Sequence, residues 1–220
     1  MILATAATAL ALASPLAGKT VAIDPGHNGA NYLHTAQIDR LVNAGGFMKA
    51  CDTTGTETDD GYTEAAYNLD VALRLAKILR ADGARVVLTR TTNTGWGPCI
   101  DERAAIGNRA HADAAISIHA DSGPATGRGF HVIYRRSRAL ALAIRDAFAA
   151  GTGEPYADYV GHDGLDLRTD LGGLNLSTVP KVFIETGNMR NSLDARRLES
   201  SAYRQREAAA LARGLLDFLR

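Results

Sequence analysis

The chain has 220 residues, 46% hydrophobic and 22% charged, with 24 basic residues balanced by 24 acidic ones. That is the composition of an ordinary globular protein, long enough for one domain that buries roughly 70% of its unfolded surface. With no net charge there is no general attraction to nucleic acid or an anionic membrane, and the interleaving of aromatic with basic residues that single-stranded nucleic acid would require is missing as well.

Met1 to Leu16 is almost wholly apolar, with small residues at Ala11 and Ala13 before Ser14-Pro15. The pattern matches the apolar core and cleavage region of a secretory signal, without its positively charged leader. It is too short to span a bilayer. Residues 1–18 are therefore read as a signal-like segment, with a packed or frayed terminus as the alternative, and residues 19–220 as one domain. Export is the expectation. The two cysteines, Cys51 and Cys99, lie in loop-like stretches, and an isolated pair in an exported protein suits a disulfide. Neither has CxxC spacing, which argues against sulfur ligation of a metal or a cysteine nucleophile.

Lys19 to Asp24 reads as the first strand, followed by a long polar stretch from Asn28 to Gly61 that needs a function or some structure of its own. Tyr62 to Ala81 has Ala65, Leu69, Ala72, Leu73, Ala76 and Leu79 at helical spacing, with Asp60 as the expected cap. Asp82-Gly83 ends it, and Arg85 to Thr89 is the next strand. A helix from about Asp101 to His111, strands at Ala114 to Ile118 and Phe130 to Tyr134, and a helix from Ser137 to Ala150 follow. Gly151 to Pro180 is rich in glycine and aspartate and reads as the lining of an opening. Lys181 to Glu185 is the last strand, and Asp194 to Leu219 is helical with a break near Ser200. This alternation predicts an α/β domain: a mostly parallel, open, twisted sheet with helices on both faces.

Three of the apolar runs end in residues able to bind or serve a metal. Thr20 to Ile23 leads into Asp24-Pro25-Gly26-His27, Ala114 to Ile118 ends at His119, and Val182 to Ile184 ends at Glu185. Open α/β sheets place ligands beyond the carboxyl ends of their strands. Each histidine alone reads equally as a turn or strand-end residue satisfied by the backbone. As a pair they suggest a metal site, since catalytic zinc takes three protein ligands and imidazole is its commonest. Glu64, in the first turn of the long helix, is the best third ligand, although it could simply complement the helix dipole. Asn68, one turn later, could orient it. Glu185 is the candidate base, its alternative being an ion pair with Arg190. His111 reads as structural, His131 as a strand residue without a ligand-like partner, and His34 and His162 as loop residues, His162 with a place in a groove. There is no HExxH, no GxSxG, no P-loop and no dinucleotide fingerprint.

Val21-Ala22-Ile23-Asp24-Pro25-Gly26-His27-Asn28-Gly29, Thr63-Glu64-Ala65-Ala66-Tyr67-Asn68, Ser117-Ile118-His119-Ala120-Asp121 and Phe183-Ile184-Glu185-Thr186-Gly187-Asn188 occur in that order. Together they resemble the zinc-dependent N-acetylmuramoyl-L-alanine amidases of the Amidase_3 type, particularly the mycobacterial and actinobacterial members, over Lys19 to Leu219. The resemblance implies one Zn2+ on His27, Glu64 and His119, Glu185 as catalytic residue, and peptidoglycan or its muropeptides as substrate. Asp24, Asn68, Asp121 and Asn188 become candidates for orienting the site or touching substrate. Asp121 stands where many relatives have asparagine. The resemblance also implies a Cys51–Cys99 disulfide, a monomer, and a site left open because Gly151 to Pro180 is too glycine- and aspartate-rich for a long blocking helix. Another zinc amide hydrolase, an endopeptidase or carboxypeptidase, is the nearest alternative; the HxxE of a carboxypeptidase is absent, Ala30 standing three after His27. A catalytically dead wall-binding module is the other alternative, and retention of Glu185 speaks against it.

Overall fold

A computed structural model of the chain describes residues 14–220. Six strands form one sheet in the order β4-β1-β5-β8-β6-β7. Strands β4 (Arg85–Leu88), β1 (Thr20–Pro25), β5 (Ala114–Asp121) and β8 (Lys181–Asn188) run parallel. Strand β6 (His131–Tyr134) is antiparallel to β8, and β7 (Leu165–Leu167) is parallel to β6. The expected mostly parallel sheet is present, with a reversed pair at one edge.

Side chains alternate between the faces of a strand, and this chain uses the alternation to separate core from chemistry. Val21 and Ile23 of β1, Ile116, Ile118 and Ala120 of β5, and Val182 and Ile184 of β8 join one apolar cluster. That cluster is covered by α2 (Glu64–Ala81), α4 (Arg138–Thr152) and α7 (Ser201–Leu219), which pack on one another. Each fully buried leucine, isoleucine or phenylalanine there contributes about 1.5–3 kcal/mol. The other face carries Ala22, Asp24, Ser117, His119, Phe183 and Glu185 and has only short cover from α3 (Ile100–Arg109) and α5 (Gly172–Asn175). Helices flank both faces as expected, but unevenly, and the thin side holds the cleft.

The strands are also longer than their apolar runs. β5 continues to Asp121 and β8 to Asn188, so His119 and Glu185 lie within strands, on the face away from the apolar core, rather than beyond their ends. The long polar stretch after β1 carries a single turn of 3-10 helix (Asn31–Leu33), α1 (Thr35–Ile38) and a hairpin of β2 (Leu41–Asn43) and β3 (Met48–Ala50). Cys51 and Cys99 form a disulfide across a separation of 48 residues, packed with Val42 and Ile100. The remaining helix, α6 (Ser192–Glu199), precedes α7, and the break at Ser200 is a cap: its hydroxyl accepts from the Tyr203 amide.

Two boundaries differ from expectation. α2 starts at Glu64, where the Thr63 hydroxyl accepts from the Ala66 amide, and Asp60 is not the cap. Residues 1–13, and with them most of the signal-like reading of 1–18, lie outside the described residues. Ser14 to Gly18 belongs to the folded unit: Leu16 is fully buried in the main core and its amide donates to the Asp82 carbonyl at 2.9 Å.

Candidate metal centre

Beyond β1 the chain turns sharply, with His27 in the left-handed region at φ 55°, an uncommon conformation for a residue other than glycine. Its Nδ1 donates to the Thr53 carbonyl at 3.0 Å, with Asp52 Oδ1 at 3.3 Å. The proton on Nδ1 leaves the Nε2 lone pair facing Glu64 Oε2, 3.2 Å away. Glu64 Oε1 lies 2.8 Å from His119 Nδ1. The His119 ring is held by stacking on Phe183, with centroids 3.9 Å apart, and meets His27 edge to face at 4.9 Å. Amides of Thr56 and Ala120 donate to the Glu64 carboxylate, and Asn68 donates to both Glu64 Oε1 and the Gly26 carbonyl.

Ligand atoms from His27, Glu64 and His119 lie within 4.8 Å of one another. A neutral imidazole lone pair opposed to a carboxylate oxygen is repulsive unless a proton or a cation lies between them. Burial opposes charge on His27, yet Glu64 and Asp52 outweigh it and push its pKa up to about 10. Glu64, also buried, is held well below the usual carboxylate range, chiefly by His27 and His119. Burial pushes the His119 pKa down, against the pull of Glu64. The cluster thus has positive charge to gain, and two nitrogens with one oxygen suit a divalent metal of borderline softness.

An ion-pair network lies behind this trio. Asp24 is buried and accepts from Thr89, Ser117, Lys181 and Arg103. Arg103 also donates to the His27 carbonyl and to Asp52, each at 2.9 Å, and so fixes the group that holds the His27 ring. Arg90 ties the turn to the helix by donating to the Gly26 and Ala65 carbonyls at 2.9 and 2.7 Å. Asp24 lines the cleft and supports the centre through Arg103. Arg103, Arg90 and Asp52 were not foreseen, because a buried charge that meets its partner only in the fold leaves no periodic signal.

Glu185 is partly buried and lines the same cleft of about 510 Å³ as the trio. Its expected alternative, pairing with Arg190, does not occur, since Arg190 pairs with Asp59 at 3.1 Å. Burial, with Glu64 and Asp121 nearby, pushes the Glu185 carboxyl well above its ordinary range. Asp121 accepts from the Tyr159 hydroxyl at 3.0 Å and also lines the cleft. Asn188 does not: it is fully buried, donates to the Pro124 and Gly127 carbonyls and accepts from the Gly123 amide, so it shapes the loop after β5 and touches neither cleft nor trio. His162 lies in a separate hollow and does not line this cleft. Leu171 to Leu174 from the glycine-rich segment form part of its wall, and α5 there is only four residues long.

Fold and site together define an α/β hydrolytic domain whose sheet face carries a two-histidine, one-carboxylate cluster and a free carboxylate beside it. The family profile described as N-acetylmuramoyl-L-alanine amidase (Amidase_3) matches residues 21–217. The N-acetylmuramoyl-L-alanine amidase Rv3717 of Mycobacterium tuberculosis is 44% identical over 234 aligned positions, covering 99% of this chain and 95% of its own length. The crystal structure of the amidase Ami1 from Mycobacterium smegmatis superposes with a TM-score of 0.89 at 45% identity, covering 93% of this chain and 98% of that one. The apo form of Ami1 from Mycobacterium abscessus gives a TM-score of 0.89 at 41% identity, covering 93% and 100%. The chain belongs to the N-acetylmuramoyl-L-alanine amidase family.

Proposed function

We propose that the protein hydrolyses the amide bond between the lactyl group of N-acetylmuramic acid and the L-alanine of the peptidoglycan stem peptide. His27, Glu64 and His119 would hold one zinc ion, which when bound acidifies water and polarises the scissile carbonyl. Glu185 takes the proton from the attacking water and delivers it to the leaving amine nitrogen. Its raised pKa makes it a stronger base toward water than a carboxylate of ordinary acidity. Asp52 and Thr53 fix the His27 tautomer, Asn68 fixes Glu64, and Asp121 keeps negative charge near Glu185.

The observation that carries this reading is that Glu185, without an ion-pair partner among the described residues, shares one cleft with the three-residue cluster. A wall-binding module would have no use for such a carboxylate. The protein is further proposed to be exported and to act as a monomer in the periplasm, in the cell wall or outside the cell. The buried disulfide supports an oxidising compartment.

Mass spectrometry of muropeptides incubated with the protein, with and without chelator, tests the reaction. The expected product is a free peptide beginning at L-alanine, lost on chelation and restored by zinc. Cleavage within the stem peptide would identify an endopeptidase instead.

A further inference from the structure

His131 is outside everything assigned so far. It is buried at 2% exposure in β6, and its Nδ1 has no hydrogen-bond partner among the described residues. Orphaned buried polar atoms are costly, on the order of 1–3 kcal/mol each, and ask for an explanation. The registers supply one. His119 of β5 is paired with Glu185 of β8, and Glu185 is paired with His131 of β6. Directly paired residues project from the same face with Cβ atoms about 4.5–5.5 Å apart. His119, Glu185 and His131 therefore form one row across three strands, on the cleft face. Glu185 Oε2 is itself buried and without a partner, so two orphaned atoms occur on immediate cross-strand neighbours.

We propose that His131 is a positioning residue for Glu185, its Nδ1–H holding the Oε2 end of the carboxylate through one bridging water and so presenting Oε1 to the cleft. A buried water with two or more polar partners is an ordinary structural element. The groups around the ring fit a neutral donor. Asp121 at the end of β5, Asp166 on β7, Arg168 beyond it and Tyr159 face it along with Glu185; the Tyr159 ring meets it edge-on at 6.4 Å. Burial pushes the His131 pKa down against the pull of the two aspartates. The ring thus acts as a hydrogen-bond donor of fixed orientation rather than as a second charge beside the base.

The inference rests on Glu185 being the base, and the test separates the two. His131→Phe keeps the shape and removes both nitrogens, His131→Asn restores a donor near the Nδ1 position, and His131→Gln places one near Nε2. Steady-state kinetics on a soluble muropeptide are measured for each, alongside Glu185→Gln, bound metal and thermal midpoint. His131→Phe and His131→Gln are expected to lower kcat about 10–100-fold, with KM within about twofold of wild type and metal content unchanged. His131→Asn recovers most of the loss, and adding His131→Phe to Glu185→Gln costs nothing more. Wild-type kcat in His131→Phe while Glu185→Gln is inert would overturn the positioning role alone. So would losses in all three variants that merely track metal content or thermal midpoint. Wild-type activity in Glu185→Gln would overturn the assignment of the base, and the inference with it.

Discussion

Gly26 shows how closely the centre is packed. A Cβ built there would lie 2.0 Å from His119 Cε1 and 2.2 Å from its Nε2. The Pro-Gly-His sequence signals a turn after the first strand, but the left-handed backbone belongs to His27, and Gly26 is needed because an imidazole occupies the space of its missing side chain. Gly26→Ala is expected to push the His119 ring off Phe183 and lower metal affinity or activity about 10–100-fold, read by competition with a chelating dye. Unchanged affinity would show that the ring has another resting place. His27, Glu64, His119 and Glu185 are legible in sequence because each follows a recognisable run or cap. Asp52, Arg103 and Arg90 are not, since their partners are 51, 79 and 64 residues away.

The element-scale surprise is that β5 and β8 do not stop where their apolar runs do. In Ala114 to Asp121 the apolar Ile116, Ile118 and Ala120 face the helices while Ser117, His119 and Asp121 face the cleft. Alternation of period two is a strand signal, and taking His119 as the end cuts short a strand that is buried over all but its last residue. The helices were more legible, their stripes being long, although the cap of α2 shifted to Thr63. One helical residue resists any sequence reading. Glu207 of α7 is fully buried with neither carboxylate oxygen hydrogen-bonded. Burial, with Glu154 and Asp70 nearby, pushes its pKa well above 4.5. A carboxyl protonated in the fold and ionised when unfolded costs stability increasingly as pH rises above the unfolded value, by about 1.4 kcal/mol per pKa unit. Glu207→Gln should therefore raise the thermal midpoint more at pH 8 than at pH 5, each kcal/mol being worth about 2–4 °C in a domain of this size. Equal shifts at the two pH values would mean that Glu207 is ionised in the folded state.

At the scale of the whole molecule the design is a thick helical layer that stabilises the sheet and a thin side whose polar sheet face lines the cleft. The Cys51–Cys99 disulfide belongs to the thin side, where the apolar cover is least. It joins the residue before Asp52 and Thr53, which hold His27, to the start of α3, which supplies Arg103. Closing a loop of 48 residues contributes about 4 kcal/mol by the chain-entropy account. The Cys51→Ser/Cys99→Ser variant should lose about that much in a urea titration, and bind metal more weakly as the His27 support loosens; a loss below about 1 kcal/mol would mean the loop is ordered without it. The general α/β plan and the order of the motifs were legible from alternation and spacing, whereas the unequal thickness of the layers depends on which helix packs on which face. The proposed site divides its labour between a cluster that holds a metal and a carboxylate that moves a proton. Bound zinc per chain, measured by elemental analysis beside muropeptide turnover in Glu185→Gln and His119→Ala, tests it most directly. About one zinc and no turnover are expected in Glu185→Gln, and neither zinc nor turnover in His119→Ala; a Glu185→Gln protein that lost its zinc, or a His119→Ala protein that kept both, would show that the two roles are not divided in this way.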